Sequence, residues 1–319
     1  MDKNNHSRLT GAGAPEVVVA ALRRHDDSVD VVEQSCYALH YLAMTQNNVG
    51  WMGANGGCEA VNSALSKHLK ENPAVTRNAC RAVGSLAYKD EGNQQRFRLS
   101  GTCANVVIAL RTHAVDALVA EYACRAIFQL SADNANVTEF AKTNVCKLVV
   151  AVLQAHAEES GVVSQACLAI SGLAVKSKND KVHRKNTDRL VKNNAIENIV
   201  VALRKYPKHA SVQRAGAMAI ASLARLDENR QRLGEAGACD LLVTSLQTHG
   251  GEENVAEKIA IAIDALSQRN EVNLHKFATA GVTEVSQTIS TYMLLLSLLL
   301  LSSLLSLLLL DVIECYAQT

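Results

Sequence analysis

The 319-residue sequence predicts an all-α fold built from one unit copied about six times. Three observations carry this expectation. First, a leucine is followed three residues later by histidine at Leu22/His25, Leu65/His68, Leu110/His113, Leu153/His156 and Leu246/His249, with Leu203/Tyr206 in the remaining place. These leucines are spaced by 43, 45, 43, 50 and 43 residues, and a fixed period of that size marks stacked repeats. Second, another block keeps the same register, running from Cys36 to Leu42, Cys80 to Leu86, Cys124 to Leu130, Cys167 to Leu173, Ala217 to Leu223 and Ala260 to Leu266. Third, the chain is 48% hydrophobic but only 4% aromatic, with three prolines. Small and aliphatic residues therefore do the packing, which favours helices over sheets.

Each unit holds two longer helical patterns and one short one. Val61, Ala64, Leu65 and His68 fall at i, i+3, i+4 and i+7, on one helix face. Ala79, Ala82, Val83 and Leu86 repeat that face in the next segment. Breakers separate the two at Asn72-Pro73, Pro207-Lys208 and Gly250-Gly251. The short segment is seen at Asn93–Gly101 and Asn229–Gly237, where a terminal glycine suits a left-handed turn. No unit buries its apolar face alone, so the copies must stack.

The length of the unit and the phrase Asn93…Phe97…Gly101, followed by Val106-Val107-Ile108-Ala109-Leu110 and Ala123…Ala126-Ile127-Phe128-Gln129-Leu130, resemble the armadillo repeat family. The resemblance spans about residues 11–281. Residues 1–10 read as an N-terminal tail, and 282–319 depart from the repeat. It implies an armadillo-like right-handed superhelical solenoid of about six three-helix repeats. It also implies a concave groove, lined by the last helix of each repeat, that binds a protein or peptide partner. Groove-facing positions then recur at intervals of four: Glu33/Tyr37/Tyr41, Arg77/Arg81/Ser85, Glu121/Arg125/Gln129, Ser164/Leu168/Gly172, Arg214/Met218/Ser222 and Glu257/Ile261/Ala265. In the family's nuclear-import adaptors these rows repeat a tryptophan and an asparagine. Here neither ladder is present, so recognition of nuclear-import signals is not expected.

What remains is a polar end carrying Tyr37, Tyr41, Arg77, Arg81, Arg125 and Gln129, and a more apolar end carrying Leu168, Met218 and Ile261 beside Arg214. Arginine and tyrosine are favoured interface anchors. The competing reading is a solvated face in which Glu33 and Glu121 pair the arginines. The 50-residue spacing also places an insertion between Lys176 and Lys192, read as a basic loop with Lys181, Arg184, Lys185 and Arg189. Such a loop either touches phosphate or an acidic partner, or is simply solvated.

The histidine row is not expected to hold metal, because one ring per repeat cannot share an ion across the spacing of stacked helices. The cysteines form two rows, Cys36/Cys80/Cys124/Cys167 and Cys58/Cys103/Cys146/Cys239, read as small buried hydrophobes in a reducing compartment. No hydrolase, phosphate-loop or metalloprotease motif is present, so the expectation is a non-enzyme without cofactor or metal. The Asn136-Val137-Thr138 triplet fits a glycosylation signal by chance. A net charge of +1 gives no drive toward specific nucleic-acid binding. The N-terminal stretch lacks the apolar core of a secretory signal, which points to the cytoplasm. Leucine and serine fill residues 293–310, a length that meets the minimum for a membrane span. A tail-anchored adaptor, a cap on the array and a low-complexity expansion all remain open, as does the repeat region of a larger protein such as a multidomain kinase.

Overall fold

The computed structural model describes residues 8–174 and 181–280. In four of the five complete units a left-handed residue divides the short helix from the next helix: Gly56 (φ +79°), Gly101 (φ +82°), Asn194 (φ +66°) and Gly237 (φ +91°); Asn144 makes the fifth junction at φ −95°. Each left-handed residue stands four residues after a buried apolar side chain, Met52, Phe97, Leu190 or Leu233. The chain turns there because glycine and asparagine tolerate that backbone region.

The array opens with two helices, α1 (Ala14–Arg24) and α2 (Val29–Leu42). Five complete three-helix units follow. They are α3 (Gln46–Ala54), α4 (Gly57–His68) and α5 (Pro73–Leu86); α6 (Glu91–Leu99), α7 (Thr102–Thr112) and α8 (Ala117–Leu130); α9 (Asn134–Ala141), α10 (Val145–Ala155) and α11 (Ser160–Leu173). Next come α12 (Lys181–Lys192), α13 (Ala195–Lys205) and α14 (Ala210–Leu223), then α15 (Asp227–Glu235), α16 (Ala238–His249) and α17 (Glu253–Ser267). Helix α18 (Glu271–Thr279) repeats the pattern of a short first helix. Side-chain caps start several of them: Asn72 accepts from Val75 N at 3.0 Å, ahead of Pro73, and Asp90 accepts from Asn93 N at 2.8 Å.

The last helices α2, α5, α8, α11, α14 and α17 pack side by side in chain order. The aligned leucines Leu42, Leu86, Leu130, Leu173, Leu223 and Leu266 are all buried between them, so the units share one apolar spine. The eight cysteines of the two rows are buried free thiols. Burial pushes Cys36, Cys80 and Cys167 up to about 12, so they pack as hydrophobes.

Two ladders of polar side chains join unit to unit. An asparagine of five of the six short helices donates to the carbonyl of the aligned leucine before it: Asn48 to Leu42, Asn93 to Leu86, Asn136 to Leu130, Asn229 to Leu223 and Asn273 to Leu266, at 2.9–3.1 Å; Asn186 of the sixth keeps the register without this bond. Those carbonyls end a helix, where backbone partners run short; at Leu42, Leu130 and Leu223 an N–H three residues on also reaches the carbonyl, at 3.2–3.4 Å, whereas Leu86 and Leu266 rely on the asparagine. The same amide also reaches the preceding short helix in three cases, at Val49 O, Gln94 O and Arg230 O. The second ladder is the histidine row. His68, His113, His156 and His249 place Nε2 2.7–2.9 Å from the carbonyls of Asp26, Leu69, Ala114 and Pro207, each in the unit before. Tyr206 keeps the bond in the fifth place, its hydroxyl donating to Ala157 O at 2.9 Å.

The expected basic loop is corrected in part. Lys181, Arg184, Lys185 and Arg189 sit on helix α12, not on a loop. Asn186 and Leu190 keep the short-helix register and are buried, and burial of that face imposes the helix. Leu173 to Leu190 spans 17 residues where Leu223 to Leu233 spans 10, so the extra length lies before the helix. Arg184 pairs with Glu228 at 2.9 Å and Arg189 donates to Ala141 O at 2.7 Å. Lys176 and Lys178 lie outside the described residues, as do Cys315 and the tract 293–310. Among the described residues no helix is long and apolar enough to cross a membrane. Asn136 of the glycosylation triplet is fully buried and bonded, which removes it as an acceptor in the folded chain.

Candidate protein-binding groove

Successive last helices present their i, i+4 rows to one side of the array, and at the N-terminal end these rows meet. Tyr37 and Tyr41 of α2 share a hydroxyl hydrogen bond of 3.0 Å, with their rings edge to face at 4.8 Å. Arg81 of α5 reaches across to them. Its guanidinium lies 5.1 Å from the Tyr37 ring centre, 5.4 Å from Tyr41 and 5.1 Å from Tyr122 of α8. Three ring faces around one cation hold it in place without a carboxylate. Tyr122 was not among the expected groove residues. Counting by fours from Glu121 passes over it, and only the lateral offset between α5 and α8 brings it to Arg81.

The two glutamates behave differently from each other. Glu33 accepts from Arg77 Nη2 and from Asn78 Nδ2, both at 3.2 Å, so Arg77 is a paired residue, as the solvated-face reading had it. Glu121 makes no ion pair among the described residues and stands against Gly161 of the next unit. Burial raises its pKa above the usual carboxylate range, against the lowering pull of Arg125 and Arg81. Arg125 is half-buried, and Gly84 leaves room for its stem: a Cβ there would lie 3.3 Å from Arg125 Cγ. Burial lowers the Arg125 pKa, and the like charge of Arg81 adds to that. Gln129 is half-buried one turn further along α8.

Behind this patch sits His40, which sequence reasoning passed over. It is buried, with Nδ1 2.6 Å from Ser85 Oγ, and Ser85 donates on to Arg81 O at 3.1 Å. Burial, then the charges of Arg81 and Arg125, pull its pKa down to about 4.

The other end departs from expectation at one position. Leu168 is only 4% exposed and belongs to the core, so it does not line the groove. Ser164 and Gly172 lie one turn to either side of it and let the neighbours close in. Ser164 donates to Ser211 O at 3.2 Å, and a Cβ on Gly172 would meet Ser131 Cβ at 3.0 Å. Met218 is half-buried, with Sδ 3.5 Å from Arg214 Nη1, and Ile261 is 40% exposed. Arg214 lines a shallow hollow with Glu252 and Glu253.

This arrangement of three-helix units was compared with known proteins. No family model matches the chain, and no curated protein matches it. Solved structures do. A designed armadillo repeat protein is 22% identical, with a TM-score of 0.62, covering 79% of this chain and 99% of its own. The fold is an armadillo-like solenoid. A second designed armadillo repeat protein, solved in complex with the peptide (KR)4, is 21% identical with a TM-score of 0.60, again covering 79% and 99%. An engineered protein is 20% identical, with a TM-score of 0.64, covering 79% and 98%. At these identities the likeness concerns the armadillo-like backbone, and the side chains of the groove are this chain's own.

Proposed function

We propose that the chain is a cytoplasmic, non-catalytic scaffold that receives an extended segment of a partner protein in the concave groove. The observation that carries this reading is the Tyr37, Tyr41, Arg81 and Tyr122 cluster, a preorganised set of anchor-type side chains on the open face of the last helices. Because the rings already fix the guanidinium, these side chains bind a partner with little further ordering. Gln129 stands where an amide offers both a donor and an acceptor to an extended backbone. A similar backbone accommodates a peptide in the designed (KR)4 complex. Eight buried free thiols support a reducing compartment.

The test is proximity labelling with the full chain and with an Arg81→Glu/Arg125→Glu variant. The expected outcome is a set of partners labelled by the first and lost from the second, while both fold alike by circular dichroism. An identical partner list from both chains would remove the groove from the account.

A further inference from the structure

Resting on that reading, we infer that the segment bound by the N-terminal half of the groove is acidic, with its carboxylates seated between Arg81 and Arg125. The charges on this face do not close among themselves. Of the three arginines contributed by α5 and α8, only Arg77 has a carboxylate within ion-pair distance among the described residues, and that is Glu33. Arg81 is held by three rings, which fix its position but leave its charge uncancelled. Its Nε is buried and donates to no acceptor. Arg125 is half-buried on α8, near enough that the like charge of Arg81 acts on it. One carboxylate, Glu121, feels both arginines and is itself drawn into the contact with α11.

Two cations held near each other by packing cost free energy that an incoming anion returns. The surrounding polar atoms favour the same sign. Guanidinium nitrogens only donate, and the hydroxyls of Tyr37 and Tyr41 are able to donate to a carboxylate. A basic segment would meet two fixed cations here and a single half-buried carboxylate. At the opposite end Arg214 shares the lining of a hollow with two carboxylates, Glu252 and Glu253, so that lining is mixed in sign. An acidic stretch is therefore placed in register with α5 and α8, and not with α14 and α17.

Fluorescence anisotropy of the full chain with labelled (Asp-Glu)4 and (Lys-Arg)4 octapeptides tests this. The acidic peptide should bind and the basic one should not. Arg125→Gln and Arg81→Gln should each weaken the acidic peptide by about tenfold, the loss of one charge-assisted hydrogen bond. Arg125→Lys should recover part of that loss, and Arg214→Gln should change binding by less than about twofold. Raising salt from low to high ionic strength should weaken binding in the unsubstituted chain, a readout independent of any variant's stability. Binding of the basic peptide, no binding of either peptide, or acidic binding indifferent to Arg81 and Arg125 would each overturn the inference. If partner labelling is still lost from the double charge-reversal chain, the groove reading stands and only the sign of the partner is wrong.

Discussion

Replacing Asn93 by alanine tests the claim that a polar ladder, as well as the apolar spine, locks one unit to the next. The Asn93 amide donates to Leu86 O at 2.9 Å and to Val49 O at 3.0 Å, in a fully buried setting. The two losses are unequal. Val49 lies inside α3, so its carbonyl keeps a helical partner, and losing the second bond costs about 1 kcal/mol. Leu86 ends α5, so its carbonyl is left buried with no N–H ahead of it, at about 1–3 kcal/mol. The total for Asn93→Ala is therefore about 2–4 kcal/mol. The backbone cap from Asp90 to Asn93 N survives, so the helix start is not part of the effect.

Urea unfolding followed at 222 nm reads the total, with Asn198→Ala as control. Asn198 donates only within the first turn of α13, to Asn194 O, and its loss should cost less than about 0.5 kcal/mol. Because stability in stacked repeats is a sum of unit and neighbour terms, hydrogen exchange should rise first in residues 46–54 and 91–99. If Asn93→Ala unfolds at the same urea concentration as Asn198→Ala, or if faster exchange is spread evenly along the array, the reasoning fails.

Two further outcomes follow from the groove. His40 is held neutral in the fold, with its pKa near 4 against about 6.5 when unfolded, so the unfolded chain binds the extra proton between those values. Stability is then complete above pH 6.5 and falls as pH drops toward 4, by up to about 3 kcal/mol; His40→Gln, which cannot be protonated, should flatten that part of the urea-midpoint profile, and an unchanged slope would refute it. Leu168→Arg should destabilise the chain by more than about 3 kcal/mol through an unpaired buried charge, while Ile261→Arg at the matching place in α17 should cost under about 0.5 kcal/mol; equal thermal shifts would contradict the burial difference.

The parts of the fold legible in the sequence are those set by local periodicity. Leu42 through Leu266 recur because every unit buries the same helix face, and the cysteines recur because that face has room only for a small side chain. The positions of the histidines at helix ends were equally visible. Their acceptors were not, because each carbonyl lies in the preceding unit, 42–44 residues away, and only the stacking geometry brings it within reach. The asparagine ladder was written in the sequence as an Asn four residues before each short helix's apolar anchor. It passed unnoticed because asparagine near a turn ordinarily faces solvent. Helix α12 defeated a charge-based reading: Lys181, Arg184 and Lys185 look like a solvated loop until the buried Asn186 and Leu190 beneath them are counted. In the candidate groove, intervals of four pick out Tyr37, Tyr41 and Arg81, whose side chains meet, and Arg125 on α8. They failed at Leu168, which is buried beside the close contacts at Ser164 and Gly172, and they missed Tyr122, whose contact with Arg81 crosses from α8 to α5.

The donors of the two ladders stand on the first and second helices of each unit, or at the end of the second, while the last helices bridge to one another separately, at Arg77–Glu33, His40–Ser85 and Ser164–Ser211. On α2, α5 and α8 the open face carries tyrosine, and arginine beyond the one paired with Glu33. On α11 the corresponding positions, Ser164, Leu168 and Gly172, are spent on contacts with α8 and α14. Side chains able to grip a partner are thus absent at the centre of the array, and the cationic half is separated from the half in which Arg214 faces Glu252 and Glu253. A partner gripped along the whole groove would have to be acidic at one end, small and close-fitting in the middle, and different in charge at the other. On the acidic-segment inference, short segments that occupy the Arg81–Arg125 half alone are therefore expected.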